Sequence, residues 1–549
     1  MNKRLAVIFI LTSLISLLTV TVGPTKASSQ TIIVPDDYPT ITDAIGNCTK
    51  EDTIFVKSGI YAEQTLVINK TLTLIGENAE DTIINNIDSH AMVEWLGGYR
   101  MPFGITTAVD VKANDVKISG FTITNASTGI TTEGNETKIV ANIIEGLDTD
   151  GGYDIGISAS GKGTQIIDNI INAANVGIFD SGSYQVIMQN IFNSTSCTVG
   201  PYGQYNIIAD NILYGSRAGI NLQGNLNVAY NNTVVDGDIG IEITGVSNII
   251  YKNVLNQNNL GIEIGPWAIN DFLSNNIVCA NTITDNQRYG IIIASGRNNT
   301  VYANHIADNK EIGGMIAWNQ SSGILYNESD RERWQGRNAD NNTFYNNNFV
   351  NNSASEATDW SWQGTNSWDN GKEGNYWSDY NGTDANGDGI GDVSYPVNKP
   401  YRILISSFPE AQLQDPTVVN PNNVSDRYPL MEPFDTESIT IELPEWATVT
   451  PHQIPSFSPS PSPPPTQPPS PSPTPKTTQT PNPTPTSTSA QTPSPPLTEQ
   501  PSPSNSVPPT SNNSSRSTDA YWTAAAAVVA VTIVIIAATL MLRKQHNSK

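Results

Sequence analysis

The sharpest group of potential ligands in the chain is Asp384-Ala385-Asn386-Gly387-Asp388-Gly389-Ile390-Gly391-Asp392. Side-chain oxygens at its positions 1, 3, 5 and 9, a glycine at 6 and the Ile390 carbonyl at 7 reproduce the first nine positions of a calcium loop. Asp384, Asn386, Asp388, Ile390 and Asp392 are therefore the expected ligands of a structural Ca²⁺. Position 12 departs from the pattern: Tyr395 stands where a bidentate Glu belongs, so a ligand from outside, such as Asp379, is required. A plain Asx/Gly turn cluster would use the same residue types.

Other titratable groups are sparse or scattered. Asp36-Asp37 stands alone, and the two candidate groove segments are Asp148-Thr149-Asp150-Gly151-Gly152-Tyr153-Asp154 and Asp330-Arg331-Glu332-Arg333 with Trp334. Both also read as solvated loops, and no catalytic residue is assigned. Cys48, Cys197 and Cys279 lie far apart, and His90 and His305 are isolated, so soft metal ligands do not group along the chain. Against 28 basic residues the chain carries 52 acidic ones, a formal charge of −24 over 549 residues. Phosphate backbones repel such a chain, which excludes nucleic acid as a partner. Three Cys make neither a disulfide framework nor a zinc array.

The termini set the expected location. Met1-Asn2-Lys3-Arg4, the apolar run Leu5 to Val22 and Thr25-Lys26-Ala27 follow the order of a secretory signal peptide over residues 1–27. Residues 521–542 read as one transmembrane helix, with Tyr521 and Trp522 at one interface and Arg543 and Lys544 at the other, which places the 543–549 tail in the cytoplasm. Removing Lys3, Arg4, Lys26, Arg543, Lys544 and Lys549 leaves the exported part at −30. Residues 435–517 read as a Pro/Ser/Thr-rich linker, a disordered stalk that favours extended polyproline II and cannot bury a core. Sequons such as Asn69, Asn125, Asn193, Asn298 and Asn381 mark it as a glycoprotein.

A repeat organises the rest. In rows of 21 from Gly156 to Leu260, Gly161, Gly182, Gly203, Gly224 and Gly245 share one column, and Asn169, Asn190, Asn211, Asn232 and Asn253 another. Ile157, Ile178, Val199, Ile220 and Ile241 form a third column. A fixed period near 20 signals a solenoid, and two short β-branched runs per row separated by turn residues make it β rather than leucine-rich. The expected fold is all-β: a right-handed parallel β-helix of about a dozen coils over residues 28–350, with aliphatic files inside. Column glycines are expected to supply turn dihedrals, and column asparagines an amide ladder. Residues 351–434 form a C-terminal cap module holding the calcium-like loop, where Trp360, Trp362, Trp368 and Trp377 either seal the last coil or present aromatic faces to sugars.

Thr31-Ile32-Ile33-Val34-Pro35-Asp36-Asp37-Tyr38-Pro39-Thr40-Ile41, followed by Leu72-Thr73-Leu74-Ile75-Gly76-Glu77, resembles the start of a NosD-type, pectin-lyase-like β-helix. Asn375-Tyr376-Trp377-Ser378-Asp379-Tyr380 and Asp426-Arg427-Tyr428-Pro429-Leu430-Met431 resemble that family's terminal signature, common in archaeal surface proteins. The resemblance implies a short helix over Ile41 to Asn47 plugging the first coil. Its namesake is an accessory in copper maturation, yet this sequence shows no copper ligand set. Relatives of the fold modify acidic polysaccharides, but the polygalacturonase-type Asn-Thr-Asp, Asp-Asp and His-Gly set is missing, and the charge opposes a polyanionic substrate. The expected function is that of a membrane-anchored cell-surface protein serving envelope structure, adhesion or carbohydrate binding, without turnover. Its partners are cell-envelope components or polysaccharide. The alternatives are a polysaccharide lyase, hydrolase or epimerase and a copper-handling accessory protein.

Overall fold

A computed structural model describes residues 29–88, 92–94, 100–102, 106–147, 154–172, 175–193, 197–265, 274–316, 339–359, 365–398 and 424–447. The signal segment, the transmembrane stretch, most of the linker, nearly all of the 148–154 loop and the 330–334 insertion lie outside these residues. Among the described residues no helix is long and apolar enough to cross a membrane.

Three parallel sheets build the helix. The first has 13 strands, from Thr31–Val34 to Thr343–Tyr345; the second has 13, from Gly59–Glu63 to Tyr376–Trp377; the third has 12, from Leu66–Ile68 to Ser355–Asp359. Each coil contributes one strand to each sheet, and register partners are the repeat partners: Ile166 pairs with Ile187, which pairs with Ile208. Coils therefore stack at the ~4.8 Å strand spacing, with the right-handed course that parallel crossovers take. Ile118, Ile139, Ile166, Ile187, Ile208, Ala229, Ile250, Val278 and Val301 form one fully buried file. The ladder runs beyond residue 350, since strands Ser355–Asp359 and Tyr376–Trp377 still pair with it.

Most corners along the middle and C-terminal coils follow one rule: a residue with positive φ precedes a buried asparagine. Gln189, Asp210, Asn231 and Lys252 take φ values of 58°, 55°, 54° and 53° between the first and second sheets, and Asn190, Asn211, Asn232 and Asn253 follow them. Each of these asparagines donates its N–H and its Nδ2–H to the Oδ1 of the asparagine one coil on, as Asn190 does to Asn211 at 2.9 and 3.0 Å. Asn206, Asn227, Asn248 and Asn276 repeat the backbone N–H donation at the corner from third to first sheet, while the Nδ2–H of Asn206 and Asn227 goes to the Gly182 and Gly203 carbonyls. At the remaining corner Asn286 and Asn309 make both donations and Asn258 the backbone one, the ladder ending at Asn352.

The glycine column corrects the sequence expectation. Gly161, Gly182, Gly203, Gly224 and Gly245 are not among the positive-φ residues. They are needed for close approach, because a Cβ on any of the last four would collide with the carbonyl oxygen of the glycine one coil before. Left-handed dihedrals fall instead to Tyr184, Tyr205, Leu226 and Ser247 two residues further on.

Both ends are closed. The helix Ile41–Asn47 buries Ile41, Ala44 and Ile45 over the first coil; Thr40 caps it, and the buried Glu63 carboxylate accepts the Ile41 N–H at 2.7 Å. At the far end Trp368, Trp377 and Tyr395 are buried, with Trp377 stacked between Phe349 and Tyr395 at centroid distances of 4.6 and 4.2 Å. These aromatics seal the last coil.

The linker boundary is also corrected. Residues from Phe434 to Ala447, assigned by composition almost wholly to the linker, run back along the outer face of the first sheet. Phe434 and Asn348 exchange hydrogen bonds, and the Tyr251 hydroxyl donates to the Ile439 carbonyl. Ile439 and Ile441 pack on Tyr251 and Cys279, Leu443 and Trp446 on the Val186, Met188 and Ile207 face. Alternating Ile439, Ile441 and Leu443 give this strap one apolar edge.

Gly203→Ala is expected to lower unfolding stability by about 1–3 kcal/mol, the range for overpacking. Gly46→Ala, in the exposed turn of the capping helix with nothing near the added carbon, is expected to leave it level or slightly higher. Urea unfolding of both variants checks the pair.

Candidate functional site

Outward-facing side chains of the third sheet also form files, and one of them holds the densest chemistry among the described residues. Phe179 pairs in register with Gly200, Asn221 with Glu242, and Glu242 with Glu263. Repetition puts them there: Ile239-Gly240-Ile241-Glu242-Ile243 and Leu260-Gly261-Ile262-Glu263-Ile264 are consecutive copies, each with its glutamate at the outward fourth place. Register partners on adjacent strands stand ~4.8 Å apart, so the two carboxylates are neighbours.

Asn221 donates to Glu242 Oε2 at 2.8 Å, while its own Oδ1 is buried without a hydrogen-bond partner. Glu242 is 6% exposed. Burial holds its carboxyl above the usual range, with Arg217 opposing. Glu263 is pushed up to about 7, first by burial, then by the charges of Glu242 and Asp238, while Arg288 pulls the other way. Two adjacent carboxylates in a half-dry setting do not both ionise readily, so the pair tends to hold one proton near neutrality.

A second file runs one residue ahead of these strands: Arg217, Asp238, Asn259, Arg288 and Glu311. Asn259 donates to Asp238 at 2.9 Å; Arg288 reaches Glu311 at 3.4 Å and lies over the Tyr289 ring at 4.7 Å. At the N-terminal end of the face Phe179 meets Tyr202 at a centroid distance of 5.2 Å, and Tyr202 is 49% exposed. Round the corner Tyr184 stacks on Tyr205 at 4.9 Å, and Tyr205 meets the strap's Trp446 edge-on.

Reading along the chain missed Glu242 and Glu263, because it sought neighbouring carboxylates in sequence. Their 21-residue separation, equal to the repeat, was the available signal. The expected calcium ligands fall elsewhere, in the exposed cap loop. Asp384 there accepts the N–H groups of Gly387, Asp388 and Gly389, and Asp392 accepts from Ala385. Asn386 donates to Asp388, while Asp379, the expected outside ligand, accepts the Tyr395 hydroxyl. Among the described residues no group of three or more His, Cys, Asp and Glu side chains is placed to hold a metal ion.

Residues 199–333 and 271–382 match the family described as periplasmic copper-binding protein (NosD). The match covers part of the β-helix. A stretch of 106 residues is 33% identical to the probable ABC transporter binding protein NosD of Stutzerimonas stutzeri, covering 17% of this chain and 22% of that relative's length. Solved structures similar to the chain include the Dettilon tailspike protein (16% identity, 59% of this chain and 68% of that one, TM-score 0.41). An alginate lyase from Paenibacillus sp. str. FPU-7 is similar too (13% identity, 53% and 98%, TM-score 0.38). So is the periplasmic alginate epimerase AlgG (14% identity, 62% and 84%, TM-score 0.37). Likenesses this distant carry nothing about substrate.

Among the described residues the soft ligands do not gather into a copper site. Cys48 is buried at the end of the capping helix, Cys279 is buried on the first sheet beneath the strap, and His305 begins a strand of the second sheet. Cys197 begins a strand of the third sheet, and His90 lies outside the described residues. Burial raises the Cys279 thiol to about 11, the wrong direction for a thiolate ligand.

Because Glu263 titrates higher folded than unfolded, its contribution to stability is complete at acid pH and is lost as pH rises through about 7. Glu263→Gln is therefore expected to raise the melting temperature at pH 8 and leave it nearly unchanged at pH 4, as followed by thermal unfolding at both pH values.

Proposed function

We propose that this chain is an exported, membrane-tethered cell-surface protein whose β-helix serves envelope structure and adhesion and contacts carbohydrate along the outer face of its third sheet. The carrying observation is the register file Phe179, Asn221, Glu242 and Glu263, which aligns an aromatic face, an amide and two carboxylates along the helix axis. Aromatic faces stack on the apolar faces of sugar rings, while amides and carboxylates bond their hydroxyls. The stalk and the apolar C-terminal stretch supply the tether in this reading, and the sequons its own glycans. A glycan array probed with the full-length chain is expected to show binding, with no new reducing ends and no unsaturated uronate released from the bound glycans. An array without binding would remove the carbohydrate role.

A second reading is favoured by one observation, the Glu242–Glu263 pair. Carboxyls about 5–5.5 Å apart suit a retaining glycosidase, with one protonated as acid and the other ionised as nucleophile. Steady product formation abolished by both Glu242→Gln and Glu263→Gln would select it over the binding role.

For the cap loop we propose a structural Ca²⁺ held by Asp384, Asn386, Asp388, the Ile390 carbonyl and Asp392. Support comes from the Asp384 carboxylate, whose bonds to three backbone N–H groups wrap the loop around it. A chelator is expected to lower the melting temperature of the protein by several degrees and excess Ca²⁺ to restore it; an unchanged melting temperature would end the proposal.

A further inference from the structure

The third-sheet face also discriminates between classes of glycan, an inference resting on the carbohydrate-contact reading above. We propose that the face from Phe179 to Glu263 is a linear site for neutral or amino-sugar chains, laid along the helix axis with one ring per coil, and that it rejects uronate polymers.

Three observations carry this. The first is spacing. Phe179, Gly200, Asn221, Glu242 and Glu263 follow one another at the repeat, so contacts recur at the ~4.8 Å coil spacing, close to the length of one pyranose unit. A polymer with one such unit per step meets equivalent positions along the axis without bending.

The second is hydrogen-bond character. The Asn221 Oδ1 is buried and unpartnered, an acceptor that lacks a donor. An orphaned buried acceptor costs about 1–3 kcal/mol until a donor reaches it. Glu242 and Glu263 add further acceptors beside it. A sugar hydroxyl or ammonium supplies donors; a uronate carboxylate supplies none. Phe179 and Tyr202, tilted 45° to each other, provide apolar surface at the other end of the same file.

The third is charge. Asp238, Glu242, Glu263 and Glu311 face the two cations Arg217 and Arg288, and Arg288 is already engaged by Glu311 and by the Tyr289 ring and hydroxyl. The local balance is negative, within a chain whose total is −24. Attraction for an ammonium and repulsion of a uronate follow at close range, where screening is weakest.

The experiment uses the full-length chain with chito-oligosaccharides, deacetylated chito-oligosaccharides, manno-oligosaccharides and oligogalacturonates of two to eight units, read by titration calorimetry. Neutral or amino-sugar oligomers are expected to bind, with affinity rising with length up to about five units, the number of coils in the file, and level beyond. Oligogalacturonates are expected to bind at least about tenfold more weakly at low salt, with the gap narrowing as salt is added. Glu263→Gln is expected to weaken the deacetylated oligomers about tenfold, the size of one lost charge-assisted hydrogen bond. It should alter the neutral oligomers far less, while Phe179→Ala should weaken every class. Melting curves confirm that both variants are folded. Oligogalacturonate binding as tight as the others would overturn the class assignment and leave the carbohydrate role standing. Binding untouched by both variants would overturn the location, and absence of all binding would overturn the carbohydrate role together with this inference.

Discussion

The amide ladder at the corners is the constraint on which the rest depends. A coil must turn three times, and each turn removes backbone N–H groups from strand pairing inside a dry interior, where an unpaired group costs about 1–3 kcal/mol. Asparagine meets this with one side chain: Oδ1 accepts from the coil before, and N–H and Nδ2 donate to the coil after. Asn211 thus accepts from Asn190 and donates to Asn232 at 3.1 and 2.9 Å. All donations point the same way, so each ladder has a polarity and finishes with surplus donors. Two of the three ladders meet carboxylates there, and the third gives the Asn366 Nδ2–H to the Ala339 carbonyl. Asn375 gives its N–H to Asp426 at 2.6 Å, and Asn352 gives its Nδ2–H to Glu356 at 2.6 Å. Burial still lifts Asp426 to about 6, although donors from Asn375, Trp377 and Tyr428 favour its charge. The C-terminal cap is thus an electrostatic terminus of the ladders as well as an apolar lid.

Close stacking at the corners also decides where glycine is compulsory. Successive glycine carbonyls along Gly161 to Gly245 approach so closely that no β-carbon fits. The left-handed residue beside each ladder amide varies widely in side chain, as Tyr205, Leu226, Lys252 and Asp308 show. A left-handed dihedral costs of order 1–3 kcal/mol in a non-glycine residue, which the two or three ladder bonds at the same corner offset. Polar residues break the aliphatic interior along one file of the third sheet, at Thr132, Asp180 and Asp359. Asp180 points inward in register with Ala159 and Pro201, accepts only the Gly182 N–H, and is lifted by burial to about 8. It therefore sits there largely as a neutral acid.

Much of this was legible in the residues. A 21-residue period with unbroken Asn and Gly columns specifies stacked coils, since only residues in equivalent places share the same contacts, and the ladder was readable from that. The role of the glycines was not, because sequence shows that Cβ is forbidden without showing whether dihedral or distance forbids it. Trp368 and Trp377 had two readings until the stack on Phe344 and Phe349 placed them inside. The strap was hidden by composition: Ile439, Ile441 and Leu443 alternate as an edge strand does, but they precede a Pro-rich tract that dominated the boundary. Glu242 and Glu263 were hidden by dimension, being distant along the chain and adjacent across it.

The strap and the candidate site are two answers to the same problem. A stacked repeat makes any outward residue recur as a file, so an apolar choice exposes a whole stripe and an acidic choice concentrates like charge. On the first sheet the stripe is apolar, running from Ile167 through Met188 and Ala209 to Cys279, and the chain covers it with its own Ile439, Ile441, Leu443, Trp446 and Ala447. On the third sheet the stripe turns acidic at Glu242 and Glu263, where nearby Arg217 and Arg288 and the rise of both carboxyls relieve the repulsion. A face whose charge is relieved only in part, and whose Asn221 acceptor has no donor, gains from an arriving donor-rich ligand. The sealed face gains nothing from one, because its apolar surface is already buried. The division of labour between the two faces therefore follows from one outward position per repeat being filled differently on each sheet.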